Sequence, residues 1–206
     1  MENLILGFLT GGSLILAIGP QNLFVIEQGL KRNYVFTVTS ICAISDVLLI
    51  FIGIFVYHFF SIFSLELVIL LNVILVLFLL KFIWGKFEEL NKKYKLENIN
   101  QSKNIKSVIL KTLGFTYLNP HVYSDTVLIL GNLSKNFLFK EKIYFALGAS
   151  AASILFFYCL GYLSGLSAKF FAGKYMWKYI NIFIIFFMTA MVLFIMHGTY
   201  GLVFLL

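Results

Sequence analysis

Charge is what this 206-residue chain has least of. Only 12% of its residues are Asp, Glu, Lys or Arg, against 61% hydrophobic. A soluble domain carries about 25% charged and about 45–50% apolar residues, so a water-exposed surface cannot be built from this composition, whereas lipid solvates the excess. Proline is nearly absent, at two residues, as is histidine, at three. The two cysteines, Cys42 and Cys159, lie 117 positions apart in apolar runs with no CxxC or His/Cys cluster, which excludes a zinc module and reads as small buried hydrophobes. A net charge of +7 invites a nucleic-acid reading. The basic residues, however, sit in short segments between apolar runs, where membrane-orientation signals belong, and no nucleic-acid partner is expected.

What is present is a series of long apolar runs, continuous rather than alternating, which favours helices over a membrane barrel. They predict an all-α membrane protein of six transmembrane helices, at 4–26, 34–57, 62–84, 108–132, 142–165 and 176–204. Each is long enough for a hydrocarbon core about 30 Å thick. The first run follows Met1-Glu2-Asn3, without Lys or Arg, and reads as a retained helix rather than a signal peptide. A polar stretch divides the chain into a first three-helix repeat at 1–85, a connector at 86–107 and a second repeat at 108–206. Of the 16 basic residues, 13 fall on one side of this layout; the other side holds Lys135, Lys140 and Lys142. The basic side is cytoplasmic by the positive-inside rule. The connector is therefore expected inside and both termini outside, in a multi-pass inner-membrane protein.

Three spans per half invert the second half relative to the first, the architecture of many secondary transporters. The prolines fit that symmetry. Gly19-Pro20-Gln21-Asn22 interrupts the first helix and Asn119-Pro120-His121 the fourth, with the prolines 100 residues apart. Each proline removes a backbone N–H and disfavours helical geometry in the residue before it. In lipid such a break must face protein or a water-filled cavity, and the half-helix after it begins with free N–H groups suited to an anion. A lone kink satisfied by neighbouring helices would be unremarkable; two breaks at matching positions, both flanked by amides, favour a binding site.

Two carboxylates lie within the apolar runs, Asp46 in the second and Asp125 in the fourth. Each costs roughly 2.5–3.5 kcal/mol at mid-bilayer on insertion scales, so such residues mark pathways or sites by default. A structural pair with a nearby polar group is the alternative. In an ordinary α-helix His121 and Asp125 share one face, and Asn119 and Tyr123 another. The candidate substrate or coupling residues are thus Asp46, Asp125, Gln21, Asn22, Asn119, His121 and Tyr123, with Gly19, Pro20 and Pro120 forming the breaks; His121 reads equally as a proton relay or a packed polar residue. Asn72 and Asn181 are expected to join helices by hydrogen bonds, and Gly7-x-x-x-Gly11 and Gly161-x-x-x-Gly165 to be close-packing patterns. Glu66, His58 and His197 read as interfacial, with Trp84 and Trp177 as anchors.

These residues also carry a resemblance. Gly19-Pro20-Gln21-Asn22 with Gln28-Gly29-Leu30-Lys31-Arg32 resembles the start of LysE-type amino-acid exporters. Cys42-Ala43-Ile44-Ser45-Asp46, Leu118-Asn119-Pro120-His121-Val122-Tyr123 with Asp125, Phe145-Ala146-Leu147-Gly148 and Trp177 to Thr189 are most similar to the arginine exporter branch. Ser124 departs from the pattern, standing where an apolar residue is expected. The resemblance implies export of arginine or lysine from the cytoplasm, driven by the proton or membrane-potential gradient, without enzymatic activity, cofactor or bound metal. The expected partners are a basic amino acid, protons or the membrane potential, the bilayer and, as an open alternative, further copies of the chain.

Other readings stay open on the residues alone. Asp46 and Asp125 with amide oxygens of Asn22 and Asn119 suggest an exporter of a divalent cation or another small solute. Cys42 and Cys159 would be the redox pair of a thiol–disulfide carrier. A purely structural subunit has no use for two broken helices and two intramembrane acids.

Overall fold

The computed structural model describes residues 1–16, 19–60, 65–91, 104–168 and 174–203. Among them there are helices and turns and no strand. In order they are α1 (Glu2–Ile15), α2 (Pro20–Leu30), α3 (Val35–Phe60), α4 (Leu65–Asn91), α5 (Ile105–Tyr117), α6 (Pro120–Tyr123), a π-helical segment (Ser124–Ile129), α7 (Leu130–Leu133), α8 (Phe139–Ser167) and α9 (Lys174–Val203).

Three stretches among the described residues are long and apolar enough to cross a membrane by themselves: Val35–Val56, Phe139–Ser167 and Lys178–Tyr200. The pair α1 and α2 makes a fourth if counted as one broken span, bent by 82°. The chain is a multi-pass membrane protein of helices.

The break after α1 is where Pro20 put it. Gly19 is extended (φ −113°, ψ −179°) and caps α2, with Pro20 at the first helical position, where its missing N–H costs nothing. The expected fourth helix is likewise broken: α5 stops at Tyr117 and a new helical stretch opens at Pro120. It departs from the expected α-helix at Ser124, where bonding switches to the π pattern and Leu130 N–H reaches Asp125 O. That inserts one residue into the turn, so the face-sharing expected of a regular α-helix does not extend past Tyr123. Helix α4 continues to Asn91, beyond the expected start of the connector, and its Lys86 is buried inside the protein instead of solvated. Within that connector residues 92–103 lie outside the described residues, and α5 already begins at Ile105, capped by Asn104.

Helix α8 is the spine against which α1, α2 and α3 pack, and α4 pairs with α9. Small residues bring α1 and α8 together: a Cβ on Gly7 would collide with the Phe145 carbonyl, and one on Gly148 with that of Leu4. With no hydrophobic drive between helices in lipid, such backbone approach supplies the packing, as the Gly7-x-x-x-Gly11 pattern foretold. Gly161 packs on Thr39 and Val35 of α3, and the Gly161 carbonyl faces Gly29 of α2. Asn72 donates to Thr199 Oγ1 at 3.0 Å, the expected polar bridge between α4 and α9. Within the main core, α2, α4 and α5 meet through aromatic rings: Phe115 stacks on Phe24 at 4.8 Å and takes Phe78 and Phe82 edge-on, each at 4.9 Å.

Candidate functional site

The two helix breaks meet. A cavity of about 280 Å³ opens between them, just under the roughly 300–1,000 Å³ usual for small-molecule sites. It is lined by Gly19, Gln21 and Asn22 at the start of α2, by Asp46 of α3, and by Asn119 and Asp125 around the second break. Six of the positions marked in the sequence thus face one space, although they come from three separate stretches of chain. A Cβ built on Gly19 would stand 4.0 Å from Nδ2 of Asn119.

Each break is stitched by a side chain from the turn that follows it. Asn22 Nδ2 donates to the Ile15 carbonyl at 3.2 Å, and Tyr123 Oη donates to the Tyr117 carbonyl at 2.8 Å. Both acceptors are the last residues of the preceding helices, whose terminal carbonyls have no intrahelical partner. Asn22 still lines the cavity. Tyr123 does not, and its hydroxyl is committed to closing the break. Pro20 is buried; the side chains of Pro120 and His121 lie outside the described residues.

Asp46 is 4% exposed. Ser153 Oγ donates to its Oδ2 at 3.0 Å, while Oδ1 is buried with no hydrogen-bond partner among the described residues. Asp125 is close enough for the two carboxyl charges to interact. One turn earlier on α3, Cys42 is buried, and Gln21 Nε2 is buried without a partner among the described residues. The site therefore offers a buried carboxylate acceptor and a buried amide donor, each with unused capacity, beside the amino end of α2. That combination suits a zwitterion bearing an extra positive charge: carboxylates take the cation, and N–H groups take the anion. Cys42 is buried and Cys159 exposed, and both are free thiols.

Several residues at the site had not been singled out. Ser153 fixes Asp46 from α8; Thr126, Phe157, Met191 and Phe194 complete the wall. Ser153 sits in an Ala/Ser-rich stretch, Ala149 to Ser153, whose facing toward Asp46 only the packing of α8 on α3 establishes. Glu27 is the larger omission. It is 2% exposed and pairs with Lys31 at 2.5 Å and with buried Lys86 of α4. It lies one residue past the expected end of the first apolar run, where no signal in the sequence marks it as buried.

Comparisons with known proteins give the family. The family model of LysE-type translocators matches residues 12–199. The chain is 38% identical over 160 residues to the arginine exporter protein ArgO of Serratia proteamaculans (strain 568), covering 77% of this chain and 78% of that protein. It is 37% identical over 183 residues to the ArgO protein of Pectobacterium atrosepticum, covering 86% and 88%. The ArgO protein of Salmonella typhimurium is 38% identical over 160 residues, covering 77% and 76%. No solved structure matches the chain. Helices of membrane-spanning length and a match over nearly the whole sequence converge: the chain belongs to the LysE family, and it is a transporter, not an enzyme.

Proposed function

We propose that the protein exports basic amino acids, arginine foremost and lysine as the second candidate, from the cytoplasm. The observation that carries this reading is the pairing of Asp46 and Asp125 with three amides, Gln21, Asn22 and Asn119, around one cavity at the meeting point of two broken helices. Relatives named as arginine exporters support the substrate class. In this reading the guanidinium or ammonium group pairs with the carboxylates. The substrate carboxylate takes the N–H groups at the start of α2 and the Gln21 amide.

The coupling follows from chemistry that one carboxyl group can perform with either of two partners. Asp46 or Asp125 holds a proton or the cationic head of the substrate, and not both. Deprotonated and open to the cytoplasm, it captures the substrate; proton uptake on the outer side displaces it. His121, next to Pro120, is the candidate relay. The membrane potential, outside positive, opposes the exit of a cation, so exchange against a proton offsets the charge moved.

The same reading takes the chain as six spans in two inverted three-helix halves, 1–85 and 108–206, joined by a cytoplasmic connector at 86–107, with both termini outside. Two breaks converging on one site are what such a repeat would produce. The deciding experiment is efflux of labelled arginine and of labelled lysine from loaded vesicles, with and without the protein. Efflux of neither, alongside efflux of a neutral amino acid, would overturn the basic-substrate reading.

A further inference from the structure

A second cavity lies away from the helix breaks, between the last turns of α4 and the first turns of α5. It encloses about 510 Å³. Four lysines line it, Lys81, Lys86, Lys106 and Lys111, over a floor of Phe78 and Phe82. Among the described residues that line it there is no carboxylate. Among the described residues Glu27 pairs with Lys86, and it is shared with Lys31. The ammonium groups of Lys86 and Lys111 stand 5.4 and 5.9 Å from the Phe82 ring centroid, so aromatic contact draws both toward the same floor. Nothing in the transport chemistry above uses this cavity.

The surroundings say what kind of anion fits. The outward face beside the cavity is apolar and exposed, with Leu77, Leu80 and Trp84 on α4 and Leu110 on α5. Lys81 lies ten residues before the end of α4, which is roughly 15 Å down the helix axis at 1.5 Å per residue. The positive charge therefore extends from the basic end of the helices toward the lipid-facing surface, as a headgroup site needs. Gly85 also lines the space, and a Cβ there would meet nothing within 4 Å.

We propose that this cavity binds the phosphate of an anionic phospholipid, with the acyl chains lying along the exposed apolar faces of α4 and α5. The phosphate group seats among Lys81, Lys106 and Lys111, and the glycerol end enters the space that Gly85 leaves open. Clusters of basic side chains at the cytoplasmic ends of membrane helices attract anionic lipid in this way. The binding needs no transport turnover, and it stands or falls separately from the substrate assignment.

The test uses the full-length protein in nanodiscs of equal phosphatidylglycerol and phosphatidylcholine, with co-purifying lipid counted by native mass spectrometry. The variants are the triple change Lys81→Gln, Lys106→Gln, Lys111→Gln, which removes the charge, and Gly85→Trp, which fills the space and leaves every lysine. Lys135→Gln with Lys140→Gln, outside the cavity, is the control. The parent should retain phosphatidylglycerol selectively and the control should match it. The triple variant should lose selectivity on the order of a hundredfold, at about fivefold per near-surface lysine, and Gly85→Trp should lose it too. Should the triple variant not fold, Gly85→Trp decides. A parent without preference, or a Gly85→Trp protein that keeps the parent's preference, overturns the proposal. In a second arm, inorganic phosphate is titrated calorimetrically into the parent in phosphatidylcholine nanodiscs. Phosphate binding there without phosphatidylglycerol selectivity in the first arm would make this a site for a soluble anion and not for lipid.

Discussion

Gly19 and Asn119, each the residue before a helix-breaking proline and 100 positions apart in sequence, face each other across one cavity, with 4.0 Å between a Cβ placed on Gly19 and Nδ2 of Asn119. The backbone of Gly19 is extended, a conformation open to any residue. A Cβ fits at Gly19, and only a longer side chain would enter the cavity. Gly19→Ala should keep arginine export within about twofold, because a methyl group at ordinary contact distance costs little. Gly19→Leu should project into the cavity and abolish export while the protein still reaches the membrane. Equal export by the leucine variant would mean that the substrate does not pass between the two breaks.

Asp46→Asn and Asp125→Asn should each remove net arginine export at every pH from about 5 to about 8, since asparagine keeps the shape but neither charges nor titrates. Losing one partner of a buried charge pair costs about 2–5 kcal/mol, so a roughly thirtyfold or larger fall is expected. Ser153→Ala should act on the same group more mildly. Its hydrogen bond to Asp46 Oδ2 is charge-assisted and contributes about 1.5–3 kcal/mol. Parallel efflux and immunoblot measurements decide the matter. An Asp variant at the parent's rate throughout that range is not the coupling residue.

Tyr123→Phe separates binding from stitching. The phenol closes the second break by donating to Tyr117 O and does not line the cavity. Its loss should lower stability in detergent by about 1 kcal/mol and leave the arginine concentration for half-maximal efflux unchanged. A large change in that concentration, without a change in melting temperature, would return Tyr123 to the binding site.

Glu27 and Lys86 should matter for stability more than for substrate. Removing one partner of a buried ion pair costs about 3–5 kcal/mol, because the other charge is left uncompensated. Glu27→Gln removes the carboxylate that Lys86 and Lys31 share, whereas Lys86→Met leaves Glu27 still paired with Lys31. Thermal unfolding in detergent should therefore rank Glu27→Gln as the more damaging change, with the double variant better than Glu27→Gln alone. The reverse order would show that the network is solvated in the working protein.

The proposed topology is checked by labelling. Single cysteines at Lys92 and at Leu206, in a background without Cys42 and Cys159, should react with impermeant reagents from opposite sides of the membrane. Labelling of both from one side would exclude an even division into three spans per half with a cytoplasmic connector.

The sequence by itself determined the membrane class, the positions of the long helices, both helix breaks and the polar residues worth testing. Those are local consequences of composition and of proline chemistry, which act on a residue and its immediate neighbours. Gln21, Asn22, Asp46, Asn119 and Asp125 were legible because polar groups are costly in lipid wherever they occur. Only the tertiary structure decided that these five share one cavity, that Ser153 holds Asp46, and that Tyr123 closes a break instead of lining the site. Three further features escaped for the same reason. The π-helical turn at Ser124–Ile129 has no local signature. Glu27 sits where a solvated charge would equally be expected. Lys86 reads as a connector residue until α2 and α4 are seen to pack. Each depends on which faces of distant helices meet. Periodicity gives the faces of one helix at a time, whereas contacts between helices are fixed by small residues such as Gly7 and Gly148, whose effect appears only when the partner is in place.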